Sequence, residues 1–348
     1  MGRTPGPTGD EGADNGLYAR YALLEDGGRV PQSSAPATVQ ALIEAADVRP
    51  GHHVLEVGTG SGYSTAVLAT RVGPHGRVVS LDVHQSLVER ASRLLRADGL
   101  DHVEVHCRDA RDGLTTWGAF DRLIAWATSP HLPAAWLEAV REDGLLVLPV
   151  AIAPVLGATA VALVRRVGGG PHVERLLHGG FVPLHGPTPE GVPDLATAAD
   201  VAWSEDESAP WYTTTWLSAA WLRPPSPDTP DALRRLVHTL APTTPLLHDD
   251  DAAAAFGLFV LVARPDAVVL QVPTLGRAIG VGSRAGLAVQ ALDQHVTLST
   301  SEDAAGRLRE VAQAWRAAGR PDLADVTPRL RPDGPDWLVR LCLPPAAS

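Results

Sequence analysis

The sequence predicts a doubly wound α/β sheet followed by a smaller α+β domain. Three observations carry this. Short apolar runs of strand character alternate with 3.6-period apolar faces over the first half of the chain. One run, His53-Val-Leu-Glu-Val-Gly-Thr-Gly-Ser-Gly-Tyr63, passes from a buried strand through Gly58, Gly60 and Gly62 directly into a helix. From Pro187 onward the alternation stops and Pro, Asp and Glu accumulate.

The elements follow in order. Residues 1–16 are rich in Gly, Pro and acid, read as a disordered tail, and contain no apolar core of a signal peptide. Tyr18 to Leu24 is a short, weakly helical or irregular piece. Ser34-Ala-Pro36, then Val39, Leu42, Ile43 and Ala46, marks a helix start with Ser34 as cap and Pro36 in the first turn. After the glycine turn, Arg77 to Asp82 is a second strand and Leu87 to Leu95 a helix. His102 to Cys107 is a third strand, leading into Arg108-Asp109-Ala110. Phe120 to Trp126 is a fourth, Pro133 to Arg141 a helix, and Gly144 to Pro149 a fifth strand. Gly157 to Arg166 and His172 to Val182 are two strands in succession, added antiparallel to the parallel set.

Residues 187–230 carry Trp203, Trp211, Trp216 and Trp221. They read as a linker whose tryptophans pack on the flanking domains, or else as the aromatic wall of a substrate groove. Residues 231–241 are helical. Phe256 to Ala263 and Ala267 to Val272 flank Arg-Pro-Asp as a hairpin. A glycine-rich stretch, Gly276 to Gly286, leads into Leu287 to Leu292. Glu302 to Ala318 is an amphipathic helix and Leu338 to Leu343 a last strand. The chain thus divides into a tail (1–16), an α/β domain (17–186), a linker (187–230) and an α+β domain (231–348).

Composition narrows the function. A formal charge of −11 argues against a nucleic-acid partner, which calls for a basic stripe. No apolar stretch is long enough to span a bilayer. Two cysteines, Cys107 and Cys342, give neither a disulfide framework nor a metal set, and read as small buried hydrophobes in a reducing cytoplasm. The scattered histidines lack metal-ligand spacing. Every basic residue is arginine, so lysine chemistry is excluded.

The glycine turn is not a P-loop, since Tyr63 and Ser64 stand where Gly-Lys-Ser/Thr would be needed. Nor does it complete a dinucleotide fingerprint, because Tyr63 occupies the third-glycine position. What remains is Glu56-x-Gly58-x-Gly60-x-Gly62, with Asp82 ending the next strand. That pattern resembles the S-adenosyl-L-methionine turn of class I methyltransferases, whose sheet is Rossmann-like.

Further pieces narrow the resemblance: Ser34-Ala-Pro36, Arg108-Asp-Ala-Arg-Asp-Gly113, Phe120-Asp-Arg-Leu-Ile124, Leu145-Leu-Val-Leu-Pro-Val150 and Gly180-Phe-Val-Pro-Leu184. In order and spacing the region 18–186 resembles protein-L-isoaspartate O-methyltransferases. The resemblance implies that Glu56, Gly58, Thr59, Gly60 and Gly62 hold the methionine part of the cofactor. It implies that Asp82 takes the ribose hydroxyls, that Asp109 accepts from the adenine amino group, and that Ala110 lies beside the ring. Ser34 falls on the family's active-site serine, next to the substrate carboxylate. The sequence departs from the family in a short segment before Ser34, in Gln32 and Ala37, and in the extra residues 187–348. Long C-terminal extensions resemble those of actinobacterial relatives that methylate an aspartate of a ribosomal peptide.

The implied reaction is methyl transfer to an aspartyl or isoaspartyl carboxylate of a protein or peptide, with a dedicated precursor peptide as one form of that partner. A carboxylate is ionised at neutral pH and needs no general base, which suits a chain without a nucleophilic triad. The ester then closes to a succinimide. Two alternatives stand beside it: a methyltransferase of small natural products, with His84 or His131 recruited as base, and a cofactor-binding scaffold without turnover.

Overall fold

A computed structural model describes residues 14–24, 28–30, 33–186, 199–203, 214–222, 229–248 and 250–344. Helices α1 (Asp14–Ala22) and α2 (Pro36–Ala45) precede the first sheet. Strands β1 (His53–Val57), β2 (Arg77–Asp82), β3 (Val103–Cys107), β4 (Phe120–Ala125) and β5 (Val140–Ala151) alternate with helices α3 (Tyr63–Val72), α4 (Gln85–Ala97) and α5 (Ala134–Ala139). The sheet order is β3-β2-β1-β4-β5-β6-β7, with β6 (Thr159–Val167) and β7 (Gly170–Leu177). The first five strands pair in parallel; β6 and β7 pair antiparallel. This is the doubly wound α/β sheet that the alternation predicts, in the class I methyltransferase arrangement that the resemblance of the glycine turn implies. Its chain reversal between β1 and β4 opens a crevice at the carboxyl ends of the strands, where such sheets bind ligands.

Burial explains the elements. Val54, Leu55 and Val57 of β1 are at most 3% exposed, as in a strand covered on both faces. Helix α4 buries only Val88, Ala91 and Leu95, one stripe of an amphipathic helix. Helix α1 begins at Asp14, so residues 14–16 are helical rather than tail. Residues 1–13 and Gln32 lie outside the described residues.

The C-terminal half forms a second, antiparallel sheet in the order β10-β14-β13-β12-β11-β9-β8. Its strands are β8 (Val201–Trp203), β9 (Thr215–Ala219), β10 (Ala241–Pro242), β11 (Ala267–Val272), β12 (Gly276–Ser283), β13 (Gly286–Ala291) and β14 (Thr297–Ser299). Helices α6 (Thr229–His238), α7 (Ala253–Ala263) and α8 (Glu302–Ala317) accompany it. A hairpin of β15 (Thr327–Asp333) and β16 (Asp336–Cys342) docks back on the first sheet's side, where Leu132 and Trp337 exchange backbone hydrogen bonds of 2.8 and 3.1 Å. One apolar core runs from Leu146 and Leu148 of β5 through Trp216 to Phe256 and Trp315.

Three expectations are corrected here, and the glycine-rich stretch gains an assignment. Residues 187–230 are not a linker throughout, because β8 and β9 belong to the second sheet and bury Val201, Trp216 and Leu217; Trp211 lies outside the described residues. Phe256 to Ala263 is helix α7, not a strand. It is buried on all sides, and an all-apolar segment has no periodicity to separate helix from strand. The glycine-rich stretch Gly276 to Gly286 is β12 with its turn into β13; a Cβ on Gly280 would meet the Ala288 carbonyl, so that glycine marks close strand packing. Cys107 is exposed, because β3 is the sheet's edge strand; residual burial together with Asp82 and Glu89 pushes its thiol up.

Candidate active site

The carboxyl ends of β1, β2, β3 and β4 converge on a cavity of about 270 Å³. Gly58 and Gly60 offer bare backbone from the turn after β1. Asp82 comes from the end of β2, Asp109 and Ala110 from the end of β3, and Trp126 from the end of β4. Ser34 enters from the loop before α2. Phe181 to His185, after β7, supply the opposite wall.

That wall is fixed by one residue. The Thr128 hydroxyl donates to the Phe181 carbonyl at 2.8 Å and accepts from the Phe181 N–H at 3.0 Å. Backbone bonds from Thr128 to Val182 and from Leu184 to Thr128 complete the clamp. The Phe181 ring meets Trp126 edge-on, with centroids 5.7 Å apart.

Asp82 is held by two backbone donors, Gly60 N–H at 2.9 Å and His84 N–H at 3.0 Å, one on each oxygen. A carboxylate has about four lone-pair sites, so capacity remains for a pair of ligand hydroxyls. Asp109 is chelated by the Arg111 guanidinium, which holds its carboxyl below the usual range despite partial burial. Ser34 does not cap α2. The cap position is Ala35, without a side-chain bond, and Pro36 opens the helix. With Pro in the first turn one amide donor is missing anyway. The Ser34 side chain is therefore left at the cavity.

Three residues assigned to the cofactor do not line it. Glu56 is fully buried beneath the turn and accepts from Ser64 Oγ (2.6 Å), Thr65 Oγ1 (2.5 Å), Ser80 Oγ (2.6 Å) and Trp126 Nε1 (2.8 Å). Burial pushes its carboxyl up, while the bonds from Ser64, Ser80, Thr65 and Trp126 pull the other way. Thr59 bonds Ser80 at 2.7 Å, and Gly62 packs against Ala91 and Tyr21. These three shape the turn from below.

The cavity also holds Ser33, which sequence reasoning did not assign, and His84, which it named only as a base in the small-molecule alternative. Ser33 Oγ and His84 Nε2 are buried there without a hydrogen-bond partner. Buried polar atoms are nearly always paired, so two orphans in one cavity indicate a polar ligand. His84 and His185 face each other with ring centroids 5.5 Å apart. Trp126 could have been found from its place at the end of a parallel strand; nothing in the sequence signalled the hydroxyl of Ser33.

Residues 21–188 match the family model described as protein-L-isoaspartate(D-aspartate) O-methyltransferase. A protein-L-isoaspartate O-methyltransferase of Ignicoccus hospitalis is 38% identical over 151 residues, spanning 43% of this chain and 71% of that protein. The chain belongs to the protein-L-isoaspartate O-methyltransferase family. A Pyrococcus horikoshii protein-L-isoaspartate O-methyltransferase is 34% identical over 174 residues, 49% of this chain and 77% of that one. Among solved structures, a Plasmodium falciparum protein-L-isoaspartate O-methyltransferase in complex with S-adenosyl-L-homocysteine aligns with a TM-score of 0.43. It is 19% identical and covers 50% of this chain and 91% of that one. The matched region ends just past the Phe181–His185 wall, so the second sheet lies outside what the family model describes.

Proposed function

We propose that the protein is an S-adenosyl-L-methionine-dependent O-methyltransferase acting on an isoaspartyl or aspartyl carboxylate of a protein or peptide. The observation that supports this most is the convergence of Ser34 with Gly58, Gly60, Asp82 and Asp109 in one cavity. Family membership supplies the reaction class.

The residues suit the cofactor. Asp82 would take the two ribose hydroxyls, and Asp109 with Ala110 would meet the adenine. Gly58 and Gly60 would lie along the methionine part, with Glu56, Thr59 and Gly62 holding the turn in shape. Bound there, S-adenosyl-L-methionine supplies an electrophilic methyl group on a sulfonium. Ser34 donates to one oxygen of the substrate carboxylate and orients the other. No proton need be removed, because the carboxylate is already ionised. Phe181, Trp126 and Leu184 exclude water, which strengthens electrostatic contacts in the site. In the resulting ester the next backbone nitrogen attacks the carbonyl carbon. The C–N bond forms, the C–O bond breaks, and methanol leaves with the amide proton, closing the succinimide.

The second sheet packed beside the site supports a peptide or protein acceptor, with a dedicated precursor peptide as its specific form. The test is incubation with labelled S-adenosyl-L-methionine and two peptides that differ only in isoaspartate against aspartate. Base-labile label on the isoaspartyl peptide is expected for repair, and on the aspartyl peptide for dedicated modification. Absence of label from every acidic peptide, with the cofactor bound, would overturn the reading.

A further inference from the structure

A second cavity, of about 470 Å³, lies at the junction of the two sheets. It shares the segment Phe181 to Leu184 with the cofactor cavity as a common wall. Its other sides are the β5–β6 connection, including Val155 and Leu156, and the second sheet, through Trp216 of β9 and Arg277 of β12. The junction is a built contact. The Leu156 N–H donates to Ser218 Oγ at 3.0 Å, and Ser218 in turn donates to Asp200 at 2.5 Å. Gly157, at φ +81°, lets Trp216, Val269 and Arg277 close in; an added Cβ would stand 3.4 Å from the indole and 3.8 Å from the guanidinium carbon.

Arg277 is the unusual group in this apolar setting. Its Nε is buried without a partner, and no carboxylate forms an ion pair with it among the described residues. Burial lowers its affinity for the proton, and the charge of Asp293 opposes this. Asp293, close to Gly276, forms no ion pair with it. A cation desolvated without a counter-ion is costly. The planar guanidinium fork matches a carboxylate in two parallel hydrogen bonds, and low-dielectric walls strengthen such a pair.

We propose that this cavity is a substrate subsite in which Arg277 receives a carboxylate of the acceptor peptide other than the one that is methylated. This deepens the reading of the first cavity and rests on it for the reaction. The second sheet thereby selects peptides with an acidic side chain near the target residue, seated among Trp216, Leu156 and Val155. The subsite explains why a chain of net charge −11 would hold Arg277 without an ion-pair partner beside the substrate wall.

The test uses the full chain and fluorescently labelled isoaspartyl peptides that carry Glu or Gln at each of several flanking positions. Binding is read by anisotropy and methyl transfer by label incorporation. For the unmodified protein, Glu at one position is expected to improve binding and KM about tenfold over Gln. Arg277→Gln is expected to erase that preference, Arg277→Lys to restore part of it, and S-adenosyl-L-methionine affinity to stay constant in both. The melting temperature of Arg277→Gln should not fall, since it removes a half-buried charge that has no ion-pair partner among the described residues. Equal binding of Glu and Gln peptides at every position by the unmodified protein overturns the proposal, even if a variant fails to fold. So does a Glu preference that survives Arg277→Gln. An acid preference lost in Arg277→Gln without methylation of any peptide would keep the subsite and remove the assigned reaction. Methylation without acid preference would do the reverse.

Discussion

The indole N–H of Trp126 donates to the carboxylate of Glu56 at 2.8 Å, across 70 residues of sequence. The bond ties the end of β4 to β1 beneath the glycine turn, while the same residue lines the cofactor cavity. Trp126→Phe keeps most of the ring and removes the donor. It should cost about 1–3 kcal/mol of unfolding free energy, the range for leaving a buried polar group short of its partner. S-adenosyl-L-methionine binding should weaken with it. Urea denaturation and calorimetric titration check both, and a variant unchanged in each would deny Glu56 its role in shaping the turn.

Ser34→Ala should leave cofactor affinity unchanged and lower kcat/KM for an acidic peptide. One hydrogen bond to a charged group is worth about 1.5–3 kcal/mol, roughly a ten- to hundredfold loss. Steady-state kinetics beside a cofactor titration separates the two. Turnover at the unmodified rate would remove Ser34 from the substrate site.

Asp82→Asn keeps the size and replaces one acceptor oxygen by an NH2 group. That group would face either the Gly60 N–H or the His84 N–H, two donors now meeting where one carboxylate joined them. The dissociation constant for S-adenosyl-L-methionine should rise at least about tenfold. Calorimetry that found it unchanged would detach Asp82 from the cofactor.

Thr128→Val keeps the shape and deletes both bonds to Phe181. The Phe181–Leu184 wall serves both cavities, so KM for peptide and affinity for cofactor should worsen together. Thr128→Ser should restore both. A change in only one of the two would show that the wall is not shared in function.

Asp251 predicts the acid limit of the C-terminal body. Its side chain is fully buried and accepts from Arg316 at 2.6 Å, Arg320 at 2.7 Å and the His248 N–H at 3.0 Å. Burial pushes its carboxyl up, but the bonds from Arg316, His248 and Arg320 more than offset this and lower it to about 2. A carboxyl that titrates lower when folded than when unfolded stabilises the fold above its unfolded pKa. That contribution is lost as pH falls through about 4 toward 2. Thermal melts should therefore decline over this window in the unmodified protein. In Asp251→Asn the decline should be shallower and the starting stability lower. Parallel pH profiles for the two proteins would exclude Asp251 as a contributor.

Local patterns in the chain carry the parallel α/β sheet, the glycine turn and the strand-end places of Asp82 and Asp109; Ser34, whose local pattern reads as a helix cap, reaches the site only through the family resemblance. A strand followed at once by a helix must turn at its carboxyl end, and in a parallel sheet all such ends lie on one side. Tertiary structure decided which of those residues face the cavity. Glu56 reads like a ligand in sequence, yet four donors from α3, β2 and β4 surround it, and no local signal gathers groups so far apart. Phe256 to Leu261 is buried between α8 and the second sheet, so every position can be apolar and the helix leaves no periodic signal in the sequence. Arg277 acquires its meaning only from packing. The chain separates it from Phe181 by nearly a hundred residues, and the joined core of the two sheets brings both to the walls of one cavity.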